Sequence, residues 1–177
     1  MSSELKSGKM EIQIKKVTTS SQVDIVAGLA KAIWPDHYIP IIGKEQVDFM
    51  LGKFQTSKAI LAQIDQEGSH YFLIYHDFVP VGYIGIIEKY SEIFLSKLYL
   101  ISSERGKGLG RKAIDFLIAR CREIGAAYIT LTVNKENLNT ISAYERIGFE
   151  IYGELVSDIG SGYVMDDYMM RLRIKPR

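Results

Sequence analysis

The sequence predicts a single mixed α/β domain, on three observations. Strand-like alternation and helical apolar stripes follow each other along the 177 residues. Between residues 70 and 102, three β-rich runs are separated only by short polar breaks, which favours an antiparallel meander. No repeat, linker or low-complexity segment divides the chain, and its length suits one core. We therefore expect one domain over residues 11–177 and a disordered or frayed start over residues 1–10.

The first half of the chain predicts one strand followed by helices. "EIQIKKV" at 11–17 alternates apolar and polar residues, as a strand does. "SSQVDIVAGLAKAIW" has the spacing of a helix, capped by Ser20 or Ser21 and ended by Pro35. "SKAILAQIDQEG" predicts another helix, capped by Ser57, with a strand as the alternative reading. The helix between these two places four apolar residues on one face, namely Val47, Met50, Leu51 and Phe54.

The second half of the chain predicts the order β-α-β-α-β. After the meander, a helical stripe that includes Leu117 and Cys121 runs to Gly125, which suits the position just past a helix end. "AYITLTV" predicts a strand, and "NTISAYERIG" predicts a short helix ended by Gly148. Two β-rich runs flank the "GSG" turn near the end of the chain and predict a hairpin.

Composition and charge disfavour several classes of function. The net charge is +1, which provides no bulk attraction for nucleic acid or an anionic membrane. No apolar run approaches the roughly 20 residues of a membrane span. "MSSELKSGKM" lacks the apolar core of a signal peptide, so we expect a cytoplasmic protein. The lone Cys121 excludes an internal disulfide and suits a buried thiol. The three histidines are too dispersed along the sequence to indicate a metal site; they are His37, His70 and His76.

The glycine-rich stretch "SERGKGLGRKAI" at 103–114 lies between a predicted strand and a predicted helix. Backbone N–H groups at such a turn converge near the positive end of the helix dipole and favour an anion such as a phosphate. A Walker loop requires Gly-Lys-Ser/Thr, which is absent. The dinucleotide fingerprint also fails, because Arg111 replaces its last glycine and no acidic residue follows at Ala126-Ala127. A nucleotide-binding module is therefore disfavoured, while a glycine-rich turn without a ligand stays open.

Two motifs together resemble the GCN5-related N-acetyltransferase (GNAT) superfamily. Arg105, Gly108 and Gly110 form R-x-x-G-x-G, which is similar to the acetyl-CoA signature of that family. One helix and one strand later, "NLNTISAYERIGFE" resembles the family's second segment. Its matching residues are Asn137, Tyr144, Gly148 and Phe149. The element order matches over nearly the whole chain. "SKLYLISSERGKGLG" and "GYVMDDYMM" most resemble a bacterial branch that includes polyamine acetyltransferases.

The resemblance implies a twisted, mostly antiparallel central sheet that splays in the middle and is flanked by helices. Acetyl-CoA, the co-substrate, would lie in the splay, with its pyrophosphate on the N–H groups of residues 106–111. Its pantetheine arm would pair with the backbone of Leu98–Leu100, and Asn137 would touch the cofactor. Tyr144 would protonate the departing thiolate. The residues implied to bind the cofactor are Leu98, Tyr99, Leu100, Arg105, Gly106, Lys107, Gly108, Leu109, Gly110, Arg111 and Asn137.

Tyr144 and Asn137 also have ordinary structural interpretations. Tyr144 stands at helical spacing from Ile141 and Ile147, where an aromatic side chain is usually part of a core. We favour catalysis because of the motif. A phenol is a weak acid towards a thiolate, so we expect surroundings that stabilise the phenolate, or a proton that moves as the sulfur leaves. Asn137 also suits the cap of the short helix.

The general base cannot be assigned from the motif. Many relatives carry a glutamate nine residues before the signature arginine, and Ser96 stands at that position here. Glu88 lies near the predicted hairpin tip, and Glu92 is about 13 Å along the strand from Ser96. We therefore expect no carboxylate to contact the amine, whose proton would leave through ordered water. Asp166-Asp167 predicts surface charge, with a pocket for a cationic amine as the alternative, and the same holds for Asp36.

These observations favour an acetyl-CoA-dependent N-acetyltransferase that transfers acetyl directly to a primary amine of a small, polyamine-like molecule. A protein or peptide amino group is the alternative acceptor. A non-catalytic CoA-binding sensor is the alternative from another class. Dimers are common among relatives, so a homodimer is a further expectation.

Overall fold

The computed structural model describes residues 11–177. The expectation of a disordered or frayed start concerns residues 1–10 and lies outside the described residues. The helices are α1 (Ser20–Ile42), α2 (Lys44–Phe54), α3 (Ser57–Gln66), α4 (Leu109–Ile124) and α5 (Leu138–Ile147). The strands are β1 (Ile12–Lys16), β2 (Ser69–His76), β3 (Val79–Glu88), β4 (Glu92–Leu100), β5 (Tyr128–Asn134), β6 (Glu150–Gly160) and β7 (Tyr163–Arg173). A short 3₁₀ turn covers Ser102–Glu104.

The seven strands form one sheet in the order β1-β2-β3-β4-β5-β7-β6. Every neighbouring pair is antiparallel except β4 and β5. Those two strands pair in parallel only from Glu92–Phe94 to Tyr128–Thr130. In the described part of the chain they have no further paired residues, so the sheet opens at its middle. The predicted mixed α/β fold, with a mostly antiparallel sheet that splays, is confirmed.

Two hydrophobic clusters cover the two faces of the sheet. The cluster under α4 and α5 contains the apolar stripe of α4 and the facing side chains of the central strands. Cys121 is buried there, as predicted, and burial raises the pKa of its thiol to about 11. The cluster under α1, α2 and α3, called the α1 cluster below, includes Val26, Trp34, Val47, Ile60, Tyr71 and Tyr83.

The predicted end of the first helix is wrong. α1 continues through Pro35 and Pro40 to Ile42. A proline inside a helix removes one backbone hydrogen bond and costs about 3 kcal/mol. Trp34 counters this cost because it is almost fully buried and its indole Nε1–H donates to the Tyr83 hydroxyl at 2.9 Å. Tertiary packing therefore overrides the local stop signal.

Two predicted caps are displaced by one residue. Thr19, rather than Ser20 or Ser21, caps α1, and it forms a reciprocal capping box with Gln22. Thr56, rather than Ser57, caps α3, and the segment is a helix rather than the alternative strand. The predicted helix ends at Gly125 and Gly148 are confirmed, since both take left-handed φ values.

The remaining strand predictions are also confirmed. β2, β3 and β4 form the antiparallel meander, and β6 and β7 form the hairpin around the "GSG" turn. Within residues 11–177, no helix combines the length and apolar character that a bilayer crossing requires.

Candidate active site

A cleft of about 1150 Å³ opens where β4 and β5 part. Its walls are the end of β4, the end of β5, the second half of α1, the glycine-rich loop, α5, and parts of α2 and β7. All of the residues predicted from the sequence line it except Lys107 and Leu109. Those that do are Leu98, Tyr99, Leu100, Arg105, Gly106, Gly108, Gly110, Arg111, Asn137 and Tyr144. The structure thus brings both motifs to one cavity, while their chemical roles stay predictions.

The glycine-rich loop presents free backbone donors to this cleft. Within residues 11–177, the N–H groups of residues 106–111 donate to no acceptor. Because α4 begins at Leu109, the last three of these groups belong to its first turn, where the helix itself offers no acceptor. Gly106 and Gly108 have φ values of 74° and 84°, which only glycine adopts readily. Gly110 has no positive φ, and a Cβ built there would meet no atom within 4 Å. The donors and the open space at Gly110 fit a phosphate group.

The side chains of the loop differ in what they can contribute. Arg105 Nε donates to the Leu100 carbonyl at 3.2 Å, and Arg111 lies on the cleft wall. Lys107 is paired with Glu104 at 3.2 Å and does not line the cleft. The Leu109 side chain is buried in the core under α4. Lys107 and Leu109 can therefore serve the predicted phosphate site through their backbone N–H groups.

The parted edge of β4 forms the floor of the cleft. From Leu95 onward, the β5-facing edge of β4 has no strand partner in the described residues, while the opposite edge stays paired with β3 through Leu100. An extended chain with amide groups can add to such an edge as another strand. This is the geometry that the predicted pairing with Leu98–Leu100 requires.

Tyr144 is held on α5 at the wall of the cleft. Its ring packs against Phe149 at a centroid distance of 5.1 Å, and it belongs to the partly buried rim of the core under α4. Burial, together with the nearby Tyr38, raises the pKa of its hydroxyl. The expected surroundings that stabilise a phenolate are thus not found, because a low-dielectric site disfavours the charged form. The alternative, a proton that moves as the sulfur leaves, stays a prediction.

Asn137 bridges two walls of the cleft. It is the N-cap residue of α5, but its side chain makes no capping hydrogen bond. The predicted side-chain cap is therefore wrong, and only the Asn137 carbonyl accepts from Ile141 N–H, at 3.0 Å. The Asn137 amide Nδ2 instead lies 3.1 Å from His37 Nε2 on α1. Burial and the charge of Arg105 lower the pKa of His37, so its neutral ring accepts this bond.

An aromatic wall faces the cleft from α1 and β4. The sequence analysis predicted Tyr99 to bind the cofactor, but it did not predict that Trp34 and Tyr38 join it in one wall. Tyr38 and Tyr99 hydroxyls are 2.7 Å apart, and the Trp34 ring packs against both tyrosine rings. Burial, and to a lesser degree Asp167, raises the pKa of Tyr38 to about 12. These residues reach the cleft because α1 continues past Pro35.

Ser96 occupies a β-bulge on β4. Gly85 pairs with Lys97 and Ile86 pairs with Leu95, so Ser96 has no partner in the register between β3 and β4. The extra residue places Ser96 and Lys97 on one face, since both lie within 3.5 Å of a Cβ built on Gly85. Lys97 is largely buried over the Tyr71 ring, and burial lowers its pKa to about 8.

The carboxylates divide into paired and unpaired groups. Glu88 is held by Arg120 at 2.7 Å and Glu92 by Lys89 at 3.2 Å, and neither lines the cleft. Asp166 pairs with Lys135 at 2.7 Å, which confirms the favoured surface interpretation for that residue. For Asp167 that interpretation is wrong.

Asp167 lines the cleft and is only 7% exposed. Burial, together with Asp166 and against the opposing charge of Lys135, raises its pKa to about 6. Within residues 11–177 no cluster of three metal-ligating side chains is found.

Comparisons with known proteins agree with this geometry. The family model described as "Acetyltransferase (GNAT) family" matches residues 32–149. The spermine/spermidine N(1)-acetyltransferase of Bacillus subtilis (strain 168) is 28% identical over 137 residues, which are 71% of this chain and 89% of the relative. An L-methionine sulfoximine/L-methionine sulfone acetyltransferase of Pseudomonas paraeruginosa is 26% identical over 153 residues, covering 84% of this chain and 83% of the relative.

A solved structure supports the fold. The crystal structure of a PaiA N-acetyltransferase from Thermoplasma acidophilum, in complex with coenzyme A, superposes with a TM-score of 0.78. The two chains are 17% identical, and the match covers 93% of this chain and 99% of the other. The family model matches well over half of the described residues, which confirms the family and the enzyme class predicted from the sequence. The chain therefore belongs to the acetyltransferases of the GNAT family.

Proposed function

We propose that the protein transfers an acetyl group from acetyl-CoA directly to a primary amine of a small, polyamine-like molecule. One observation carries this proposal: the glycine-rich loop, whose N–H groups at 106–111 have no acceptor in residues 11–177, lines the same cleft as Tyr144 between the parted strands. Acetyl-CoA supplies the activated thioester. A site for its phosphates and an acid for its leaving thiolate are the two features that direct transfer needs.

The residues of the cleft are proposed to act as follows. The loop N–H groups and the dipole of α4 bind the pyrophosphate, assisted by Arg105 and Arg111. The open edge of β4 at Leu98–Leu100 orients the pantetheine amides. Asn137, positioned by His37, contacts the same arm. Tyr144 donates its proton to the sulfur as the C–S bond breaks.

Charge on the cleft walls supports a cationic acceptor. Three basic side chains come from the loop, α4 and α5, namely Arg105, Arg111 and Arg146, and suit the anionic end of acetyl-CoA. A fourth, Lys97 of β4, also lines the cleft, and burial lowers its pKa to about 8. Acidic side chains come from α1, β7 and the segment before α5, namely Asp36, Asp167 and Glu136, and the first two lie beside the aromatic wall. An alkylammonium with an apolar chain complements carboxylates and aromatic rings. The Bacillus subtilis relative, named as a spermine/spermidine acetyltransferase, supports the same acceptor class.

Thiol release from acetyl-CoA tests the proposal. The panel contains spermine, spermidine, L-methionine sulfone, a peptide with a free N-terminus and a reaction without amine. We expect amine-dependent release that is fastest with the polyamines. Release with the peptide alone would favour a protein acceptor. Tight binding of acetyl-CoA without any release would support the sensor and overturn the proposed enzyme.

A further inference from the structure

Asp167 is a buried carboxylate without a hydrogen-bond or ion-pair partner among residues 11–177. It lies on β7, paired in register with Asn134 of β5 and Leu155 of β6. Met165, two residues earlier on the strand, packs against the α1 cluster, so Asp167 faces that same side. Its Oδ1 is buried without a hydrogen-bond partner in residues 11–177. Asp167 also takes part in none of the ion pairs found among those residues.

The charged groups around Asp167 do not neutralise it. Lys135, on the loop after β5, is shared between Asp166 at 2.7 Å and Glu154 at 2.8 Å. Asp166, the next residue on β7, repels a second negative charge, and Tyr38 of α1 is a neutral phenol. A buried charge is costly unless it is paired. A cation that enters from the cleft would supply the partner that Asp167 lacks among residues 11–177.

We propose that Asp167 binds the ammonium group of the acceptor in the cleft and takes its first proton. This inference rests on the proposed function and names the carboxylate that Ser96 does not supply. It replaces the expectation from the sequence that no carboxylate contacts the amine. The aromatic wall of Trp34, Tyr38 and Tyr99 lies on the same face and suits the methylene chain of an alkylamine.

The proton balance of the transfer is complete with Asp167 and Tyr144. The ammonium gives one proton to Asp167, which leaves a neutral nitrogen with a lone pair. That nitrogen forms a bond to the acetyl carbon, the C–S bond breaks, and Tyr144 protonates the sulfur. The second proton lost by the nitrogen returns to Tyr144 through solvent, and Asp167 releases its proton to water. One proton is released for each amide formed. Burial places the pKa of Asp167 at about 6, closer than an ordinary aspartate to that of an alkylammonium at about 10.4.

The test compares Asp167→Asn with Asp166→Asn. Both variants remove one negative charge from neighbouring positions on β7, but Asp166 is paired with Lys135 and does not line the cleft. Two quantities are measured with spermidine: kcat/KM with acetyl-CoA, and the calorimetric Kd in the presence of coenzyme A. We expect Asp167→Asn to lower kcat/KM by about 100-fold or more and to weaken spermidine binding by about tenfold or more. Asp166→Asn should stay within about threefold of the parent, and both variants should keep the parent's affinity for acetyl-CoA.

The pH profile separates this role from a purely structural one. The kcat/KM of the parent should fall as pH decreases through about 6, as Asp167 becomes protonated, and Asp167→Asn should lack this limb. Equal spermidine affinity and kcat/KM in the two variants would overturn the proposal. A parent that binds spermidine through Asp167 but releases no thiol would leave Asp167 as the ammonium ligand and overturn the proposed function. A parent that neither binds nor acetylates spermidine or any other alkylamine would overturn the assignment of Asp167.

Discussion

Replacing Gly110 with Glu should abolish acetyl-CoA binding without unfolding the protein. The backbone at Gly110 tolerates a side chain, because it has no positive φ and a Cβ there meets no protein atom within 4 Å. The added side chain would instead occupy the space beside the free N–H groups of residues 106–111. Its negative charge would also repel a pyrophosphate.

The size of the effect follows from the donors that are lost. A hydrogen bond to a charged group contributes about 1.5–3 kcal/mol. Displacing the phosphate from only two N–H groups therefore costs about 3–6 kcal/mol, or at least about 100-fold in Kd. Gly110→Ala is the matched control. It adds a methyl group without charge, should weaken binding by about tenfold or less, and should stabilise the first turn of α4 by up to about 1 kcal/mol.

Thermal unfolding and calorimetric titration with acetyl-CoA measure both effects. We expect both variants to unfold at or above the melting temperature of the parent and only Gly110→Glu to lose binding. A folded Gly110→Glu variant with the affinity of the parent would refute the phosphate site in the loop. A Gly110→Glu variant that unfolds while Gly110→Ala stays folded would show that the open space at this position is needed by the fold, and would refute the reasoning as well.

Three further outcomes are expected. Tyr144→Phe keeps the packing against Phe149 and should lower kcat by about 100-fold or more with little change in acetyl-CoA affinity; equal rates would return Tyr144 to a core role. Glu88→Gln should change kcat/KM by less than about threefold and destabilise the fold by at most about 1 kcal/mol, because Glu88 pairs with Arg120 outside the cleft. Arg120 lowers the pKa of Glu88, so this difference in stability should be present at pH 7 and vanish as the pH falls below about 4, as denaturant titrations can measure. Asp167→Asn should be more stable than the parent at pH 8, by up to about 3 kcal/mol at 1.36 kcal/mol per pKa unit. Because the folded pKa of Asp167 is raised, the two proteins should have similar stability near pH 4. A difference in stability that does not depend on pH would contradict the burial of Asp167 as an unpaired charge.

The parts predicted correctly from the sequence depend on local signals. Gly125 and Gly148 end their helices because a left-handed residue is needed there, and that requirement is visible in the sequence. The glycine-rich loop is likewise local. Its donors have no acceptor in the described residues because those of 106–108 precede α4 and those of 109–111 lie in the first turn of α4. The meander follows from alternation and short turns. Each of these features needs only a few neighbouring residues, so the sequence analysis could predict them.

The parts that the sequence analysis missed depend on contacts between distant residues. Pro35 is a stop signal by its own chemistry, but burial of Trp34 against Tyr83, 49 positions along the chain, keeps the helix intact. Tyr38 reaches the cleft as a consequence. The sequence analysis therefore did not bring Trp34 and Tyr38 into one cavity with Tyr99. The bulge at Ser96 has no clear local signal, because it is defined by its pairing with β3.

Asp167 shows why a site residue can be harder to predict than the fold that holds it. Alternation along β7 places it on one face of the strand, but it does not say whether that face meets water or a cavity. The cavity exists because β4 and β5 part after Phe94, and α1 covers the gap only because it passes Pro35. A carboxylate on that face would be ordinary surface charge in an unsplayed sheet. In this one it is a buried group without a partner in the described part of the chain, and its raised pKa implies that its charge is costly at neutral pH. A polar group retained at such a cost indicates a functional site. The same opening of the sheet that admits acetyl-CoA in our proposal thus converts Asp167 from a solvated residue into the group best placed to bind a cationic acceptor.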